Sequence, residues 1–217
     1  VLVPTTTLVL FTSATGSGFT TADNGNASSL ISKSQSVITS TIGSANFDIG
    51  HTFSTGGGGL ANLGCVCNTG TKASGITGSP SPVGDPYDID YVAHEVGHQF
   101  GCNHTFNGST GSCSGGNRSA ANAVEPGSGV TIMAYAGICS PQDLAPNSIA
   151  YFHAISYDAL TNFINTGGGN NCDVMTATGN GAPTVSAGST NINVPKGTPF
   201  ELTGSATDPD GDALTYQ

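Results

Sequence analysis

His94-Glu95-Val96-Gly97-His98-Gln99-Phe100-Gly101-Cys102-Asn103-His104 decides how the rest of the chain is read. His94 and His98 stand four apart, so on a helix their imidazoles lie one above the other on one face. Such a pair can bind one Zn²⁺, each nitrogen about 2.0–2.1 Å from the metal. Glu95 follows the first ligand and stays outside the ligand set, placed to accept a proton from water. Gly101 permits positive φ, so the helix can stop and the chain turn sharply. That turn brings His104 back as a third ligand. Three protein ligands leave a fourth position for water, the arrangement of a catalytic site rather than a closed structural one. Three of the five histidines in the chain fall in these eleven residues, which weighs against a core helix carrying histidines by accident.

Composition narrows the partners. Of 217 residues only 8% are charged, against about 25% in ordinary domains. The 36% that are hydrophobic still suffice for a packed core. Net charge is −10, with Lys33, Lys72, Arg118 and Lys196 the only cations, which argues against nucleic acid or an anionic membrane as partner. No apolar run reaches the roughly 18 residues of a membrane span. Six cysteines and few lysines fit an exported protein with disulfides. Val1-Leu-Val-Pro4 and the close at Tyr216-Gln217, inside an expected strand, read as cut ends. Any signal peptide or pro-segment is therefore expected outside this stretch.

Pattern places the motif in a larger frame. Leu8–Phe11 and Phe47–Thr52 read as strands, and Leu60–Cys67 as a further extended segment. Residues 28–42 form an amphipathic helix ended by Gly43. Residues 68–86, rich in Gly and Pro, are expected to be irregular. Asp88 or Asp90 caps the zinc helix, which runs to about Phe100. A long loop covers residues 103–130, Thr131–Tyr135 is short and apolar, and residues 148–164 are helical by pattern. Beyond Cys172 the style changes to short alternating strands at residues 182–188, 192–194, 200–202 and 214–216. Asp208, Asp210 and Asp212 among them either offer oxygens to Ca²⁺ or form an acidic turn.

The string H-E-x-x-H-x-x-G-x-x-H resembles the zinc signature of the metzincin metallopeptidases. The resemblance implies that Thr131-Ile-Met133-Ala-Tyr135 is the methionine turn beneath the metal, with Met133 and Gly101 as structural supports. It also implies that Tyr135 donates a hydrogen bond to the oxyanion of the reaction. Gly59-Leu60-Ala61-Asn62-Leu63-Gly64-Cys-Val-Cys67 resembles the upper-rim segment of the reprolysins, or adamalysins. There it implies an edge strand that takes an extended substrate as an added strand. Residues 152–163 and Cys172 resemble the reprolysin C-terminal helix and its terminal cysteine, which implies a Cys67–Cys172 bond. Cys113 with Cys139 would then staple the long loop, and Cys65 with Cys102 is what remains.

The implied fold is α/β (α+β). It has a mixed twisted sheet with an antiparallel edge strand, an active-site helix and a C-terminal helix, then a truncated all-β sandwich-like segment. The implied organisation is a zinc metallopeptidase domain at residues 1–172 with an incomplete N-terminus and a linker at 173–182. The start of an immunoglobulin- or cadherin-like module follows at 183–217. The resemblance covers residues 47–172 well and 1–46 poorly. Thr105, where reprolysins carry Asp, and Tyr135 are instead similar to the pappalysins. The implied activity is secreted, zinc-dependent hydrolysis of peptide bonds by a monomeric domain of bacterial type. A pappalysin-like peptidase, or a surface adhesion protein with an idle zinc domain, are the alternatives. His51 and His153 are possible subsite residues, and Glu125 a possible substrate contact.

Overall fold

Asn26 opens the first helix: its side chain accepts the Ser29 N–H at 3.0 Å and satisfies a donor that the helix itself leaves free. This helix, α1 (Ala27–Ile42), stops where Gly43 takes φ +83°. The computed structural model describes residues 16–189 and 191–215, and its two compact units divide between Asp173 and Val174. The expected strand Leu8–Phe11 lies outside the described residues.

Among the described residues of the first unit, three strands form a sheet: β1 (Thr52–Ser54), β2 (Gly58–Ala61) and β3 (Gly75–Gly78), in the order β1-β3-β2. β1 runs parallel to β3, with Thr52 opposite Ile76, and β2 runs antiparallel to it, with Gly59 opposite Thr77. The sheet is thus mixed and β2 is an antiparallel edge. β3 lies inside the stretch expected to be irregular. It is wholly buried, packed by α1 and the zinc helix, and its glycines are the reason. A methyl group on Gly75 would lie 2.3 Å from Gln99 Oε1, and one on Gly78 would lie 2.3 Å from the Gly56 carbonyl oxygen. These glycines mark close backbone approach rather than a loop.

The other boundaries move for equally local reasons. The strand expected at residues 47–52 begins only at Thr52, where pairing with β3 starts. The segment expected to extend to Cys67 leaves the sheet after Ala61. Gly64 and Cys65 donate instead to the carbonyls of His98 and Gln99, both at 2.9 Å, and close the end of the zinc helix. That helical run, α2, starts before Asp88, with Asp85–Tyr87 and a π-helical stretch Asp88–Ala93 leading into His94–Gln99. Pro86 stands in its first turn, where the missing N–H costs nothing. The last helix, α3 (Ala154–Asn165), starts six residues later than the pattern implies. Its expected first turn is not helical, because Ile149 N–H bonds Val130 O and Ile132 N–H bonds Tyr151 O. His153 accepts the Ile155 N–H at 3.3 Å and caps α3, so it is not a subsite residue.

Cys67 is bonded to Cys172 and Cys113 to Cys139. Cys65 and Cys102 are separate buried thiols. They face different layers: Cys65 Sγ meets Gln99 Nε2, whereas Cys102 packs with Ile132 and Met133 under α3. Two disulfides fit an extracellular protein, and among the described residues no helix is long and apolar enough to cross a membrane.

Among the described residues of the second unit, β4 (Thr184–Ser186) and β5 (Ser205–Thr207) pair, antiparallel, with Val185 opposite Ala206, and the expected strand at 214–216 ends outside the described residues. The strands expected at 192–194 and 200–202 are absent. Ile192, Val194, Phe200 and Leu202 all stay exposed, with no second sheet face to pack against. Calcium finds no support either. Asp208 Oδ1 accepts the N–H groups of Asp210 and Asp212, and Asp210 Oδ2 accepts that of Gly181. The acidic turn is therefore held by its own backbone.

Asp23 ties the entry of α1 together, accepting from Thr20 N at 2.6 Å, Ser29 Oγ at 2.7 Å and Lys33 Nζ at 2.5 Å. Lys33 first, then these hydrogen bonds, hold its carboxyl below the usual range. A folded-state pKa below the unfolded one adds stability that is present above pH ~4 and is lost as the pH falls below it. The Asp23→Asn variant should melt below the wild type at pH 7, and the gap should close as the pH drops. Thermal melts at pH 7 and pH 3 check this, and an unchanged gap would contradict it.

Candidate metal centre

Three imidazoles converge. His98 Nε2 lies 3.0 Å and His94 Nε2 3.1 Å from His104 Nε2. Each opposite nitrogen is held by a main-chain carbonyl: His94 Nδ1 by Ile132 O at 2.7 Å, His98 Nδ1 by Cys102 O at 2.6 Å and His104 Nδ1 by Asn117 O at 2.6 Å. A carbonyl only accepts, so each Nδ1 must donate, and each neutral ring then presents a bare lone pair at Nε2. Three acceptors at this separation repel unless a cation lies among them. Tetrahedral bonds of about 2.0–2.1 Å set ligand nitrogens about 3.3–3.4 Å apart, a few tenths wider than these. The donor set fits zinc, and among the described residues this is the one group of histidine, cysteine or carboxylate side chains that could hold a metal ion.

Electrostatics agree with neutral rings. Burial first, then the neighbouring His98 and His104, depress His94 far below the ordinary histidine value. Burial also lowers His98 and brings His104 down to about 4.

The supports are mostly backbone. Gly101 takes φ +92°, and the chain turns there toward His104. Thr131–Ala134 forms a turn closed by Ala134 N–H to Thr131 O at 2.9 Å, and its Ile132 carbonyl holds His94. Met133 is fully buried beneath α2, so close that a methyl group on Gly97 would lie 2.5 Å from its sulfur. Gln99 Oε1, on the far side of the helix, accepts from His51 Nδ1 at 2.7 Å, and His51 Nε2 then accepts from Thr77 Oγ1 at 2.8 Å. His51 therefore braces the helix against β3 and lies outside the cleft. The Tyr135 ring lies 4.6 Å from His104 and 4.7 Å from Phe106, centroid to centroid.

Glu125 does not face substrate. It is buried, accepting from Thr105 Oγ1 at 2.6 Å, Val130 N at 2.8 Å, Thr131 N at 3.1 Å and also Thr131 Oγ1. Burial alone would raise its pKa, but these bonds outweigh it and lower it. The carboxylate joins the residue after His104 to the start of the methionine-containing turn.

Glu95 opens onto the cleft. Two cavities, of about 550 and 450 Å³, meet there, and Gly59, Glu95, Asn117 and Tyr135 line both. A side chain on Gly59 would strike the Glu95 carboxyl at 2.2 Å, so β2 can pass over α2 only as glycine. Burial pushes Glu95 up to about 8; a divalent cation beside it would draw that value back down. Burial first and the Glu95 charge second push Tyr135 up to about 12, so its hydroxyl keeps its proton. Of the expected rim, Gly59, Leu60, Ala61 and Leu63 line the smaller cavity. Asn62 and Gly64 do not line it, and their N–H groups bond Ser74 O and His98 O. Sequence reasoning missed Asn117, which acts through its carbonyl and so leaves no side-chain signal. It also missed Asp90 and Arg118 as cleft residues.

A family model described as Metallo-peptidase family M12B Reprolysin-like matches residues 1–157, reaching further toward the N-terminus than the motifs do. No curated protein and no solved structure matches the chain. The match spans most of the chain and contains the three-histidine cluster. The chain belongs to the M12B reprolysin-like family of metallopeptidases.

Proposed function

We propose that this is a secreted zinc endopeptidase in which His94, His98 and His104 hold the metal and Glu95 is the general base. The observation that carries the reading is the convergence of three unprotonated Nε2 atoms beside a carboxyl that has no partner among the described residues, in an open cleft. When bound, zinc supplies Lewis acidity, polarising a peptide carbonyl and lowering the pKa of water to about 7. Glu95 takes the proton of the attacking water and later delivers it to the leaving amine. The Tyr135 hydroxyl, protonated across the working range, donates to the oxyanion. The edge strand β2 aligns the substrate backbone through its unpaired N–H and C=O groups.

Thr105 and Tyr135 favour a pappalysin-like variant of the same chemistry, whereas the family match and the Cys67–Cys172 bond support the reprolysin side. An adhesion role would need neither a base nor zinc. The test is chelation: a zinc chelator should abolish casein cleavage and added Zn²⁺ should restore it. Cleavage that persists in metal-free protein would sink the reading.

A further inference from the structure

Glu95 lines both cavities, and each adds one further charged residue of opposite sign. The larger one is lined by Asp90, one turn ahead of His94 on α2. Its Oδ1 accepts the Ser148 N–H at 2.8 Å, and Asn147, with its amide oriented to satisfy both partners, donates to Oδ2 at 3.0 Å. The smaller cavity is lined by Arg118, the single arginine of the chain. Its Nε and Nη2 donate to Asn107 Oδ1 at 3.1 and 2.6 Å, which aims the guanidinium and leaves its other donors for a carboxylate. The one ion pair among the described residues is Lys33–Asp23, so neither Asp90 nor Arg118 has a counter-charge. Burial raises the Asp90 carboxyl and the Ser148 bonds oppose that; a cation entering the cavity would favour the ionised form further.

Strand direction turns two charges into an ordered pair. β2 runs from Gly58 and Gly59, at the larger cavity, toward Ala61, at the smaller one. A peptide added antiparallel to it, the slightly more stable pairing, passes the Arg118 cavity first and the Asp90 cavity second. We infer that the cleft selects substrates with an acidic residue on the N-terminal side of the cut and a lysine or arginine on its C-terminal side. Asp90 and Arg118 are the residues that decide this. The inference rests on the peptidase reading and names the substrate class of the same cleft.

Two peptides of identical composition test it, one with Glu before and Lys after the expected cut, the other with the two exchanged. Equal composition cancels the general pull of a chain of net charge −10 on cations. The zinc-loaded wild type should cut the Glu-first peptide with a kcat/KM about tenfold higher or more, a modest figure for partly desolvated charge pairs. Asp90→Asn should lose most of that preference, read as the ratio of kcat/KM for the two peptides. Arg118→Gln should do the same from the other side. Equal rates for the two peptides, or an equal loss on all peptides in Asp90→Asn, would overturn the inference and leave Asp90 as a pin for Ser148. Binding of the same peptides to Glu95→Ala protein, read by fluorescence anisotropy, separates the two claims. A Glu-first preference in binding without any wild-type cleavage would refute the peptidase reading alone, and no preference in binding would refute the charge pairing.

Discussion

Glu95→Ala should retain its zinc and lose peptide hydrolysis by roughly 10²- to 10⁴-fold, the range expected for removing a general acid–base group. The carboxyl is 8% exposed and makes no hydrogen bond or ion pair among the described residues, so it is available to water in the cleft. Each imidazole is oriented by a main-chain carbonyl, of Ile132, Cys102 or Asn117, none of which depends on Glu95. The metal ligands should therefore keep their places. A buried carboxyl without partners contributes little to folding, so the variant should melt no lower than the wild type. Metal analysis, casein turnover and a thermal melt on one preparation separate loss of chemistry from loss of structure. Casein cleavage at the wild-type rate would refute the role of Glu95, and loss of zinc would show that it supports the ligands instead.

Glu125→Ala should have the opposite profile, with a large loss of stability and, through it, of zinc. One carboxylate satisfies four donors on Thr105, Val130 and Thr131 in a buried site. Alanine would leave them without an acceptor, at a cost on the order of 3–5 kcal/mol. The damage would reach the metal, because Thr105 follows His104 and its N–H bonds the Met133 carbonyl at 3.1 Å. Urea denaturation with zinc present should show a clear drop in midpoint, and zinc should leave at a lower chelator concentration. A midpoint equal to that of the wild type would show that water replaces the carboxylate.

These two glutamates mark the boundary between what pattern reveals and what it hides. Glu95 is legible because its role follows from adjacency to a ligand on a helix. Glu125 lies twenty-one residues beyond His104 in an irregular loop, and nothing in its neighbours announces that the loop folds back to present it. The same contrast runs through the fold. α1 was readable because its apolar period and Gly43 are local signals. β3 was not, since its glycines serve contacts with Gln99 and Gly56 that are distant in sequence.

By itself the sequence determined that His94 and His98 share a helix face and that Gly101 allows the chain to turn toward His104. It also placed a methionine-bearing turn downstream, because spacing and φ preference are properties of short segments. Only the tertiary structure decided which carbonyls hold the three Nδ1 atoms, that Asp90 lines one cavity and Arg118 the other, and that Cys65 and Cys102 stay apart. Apart from the Cys102 carbonyl, four residues from His98, these depend on groups brought together from separate stretches of the chain. Main-chain carbonyls are the same in every residue type, so the sequence carries no mark of the ones that matter.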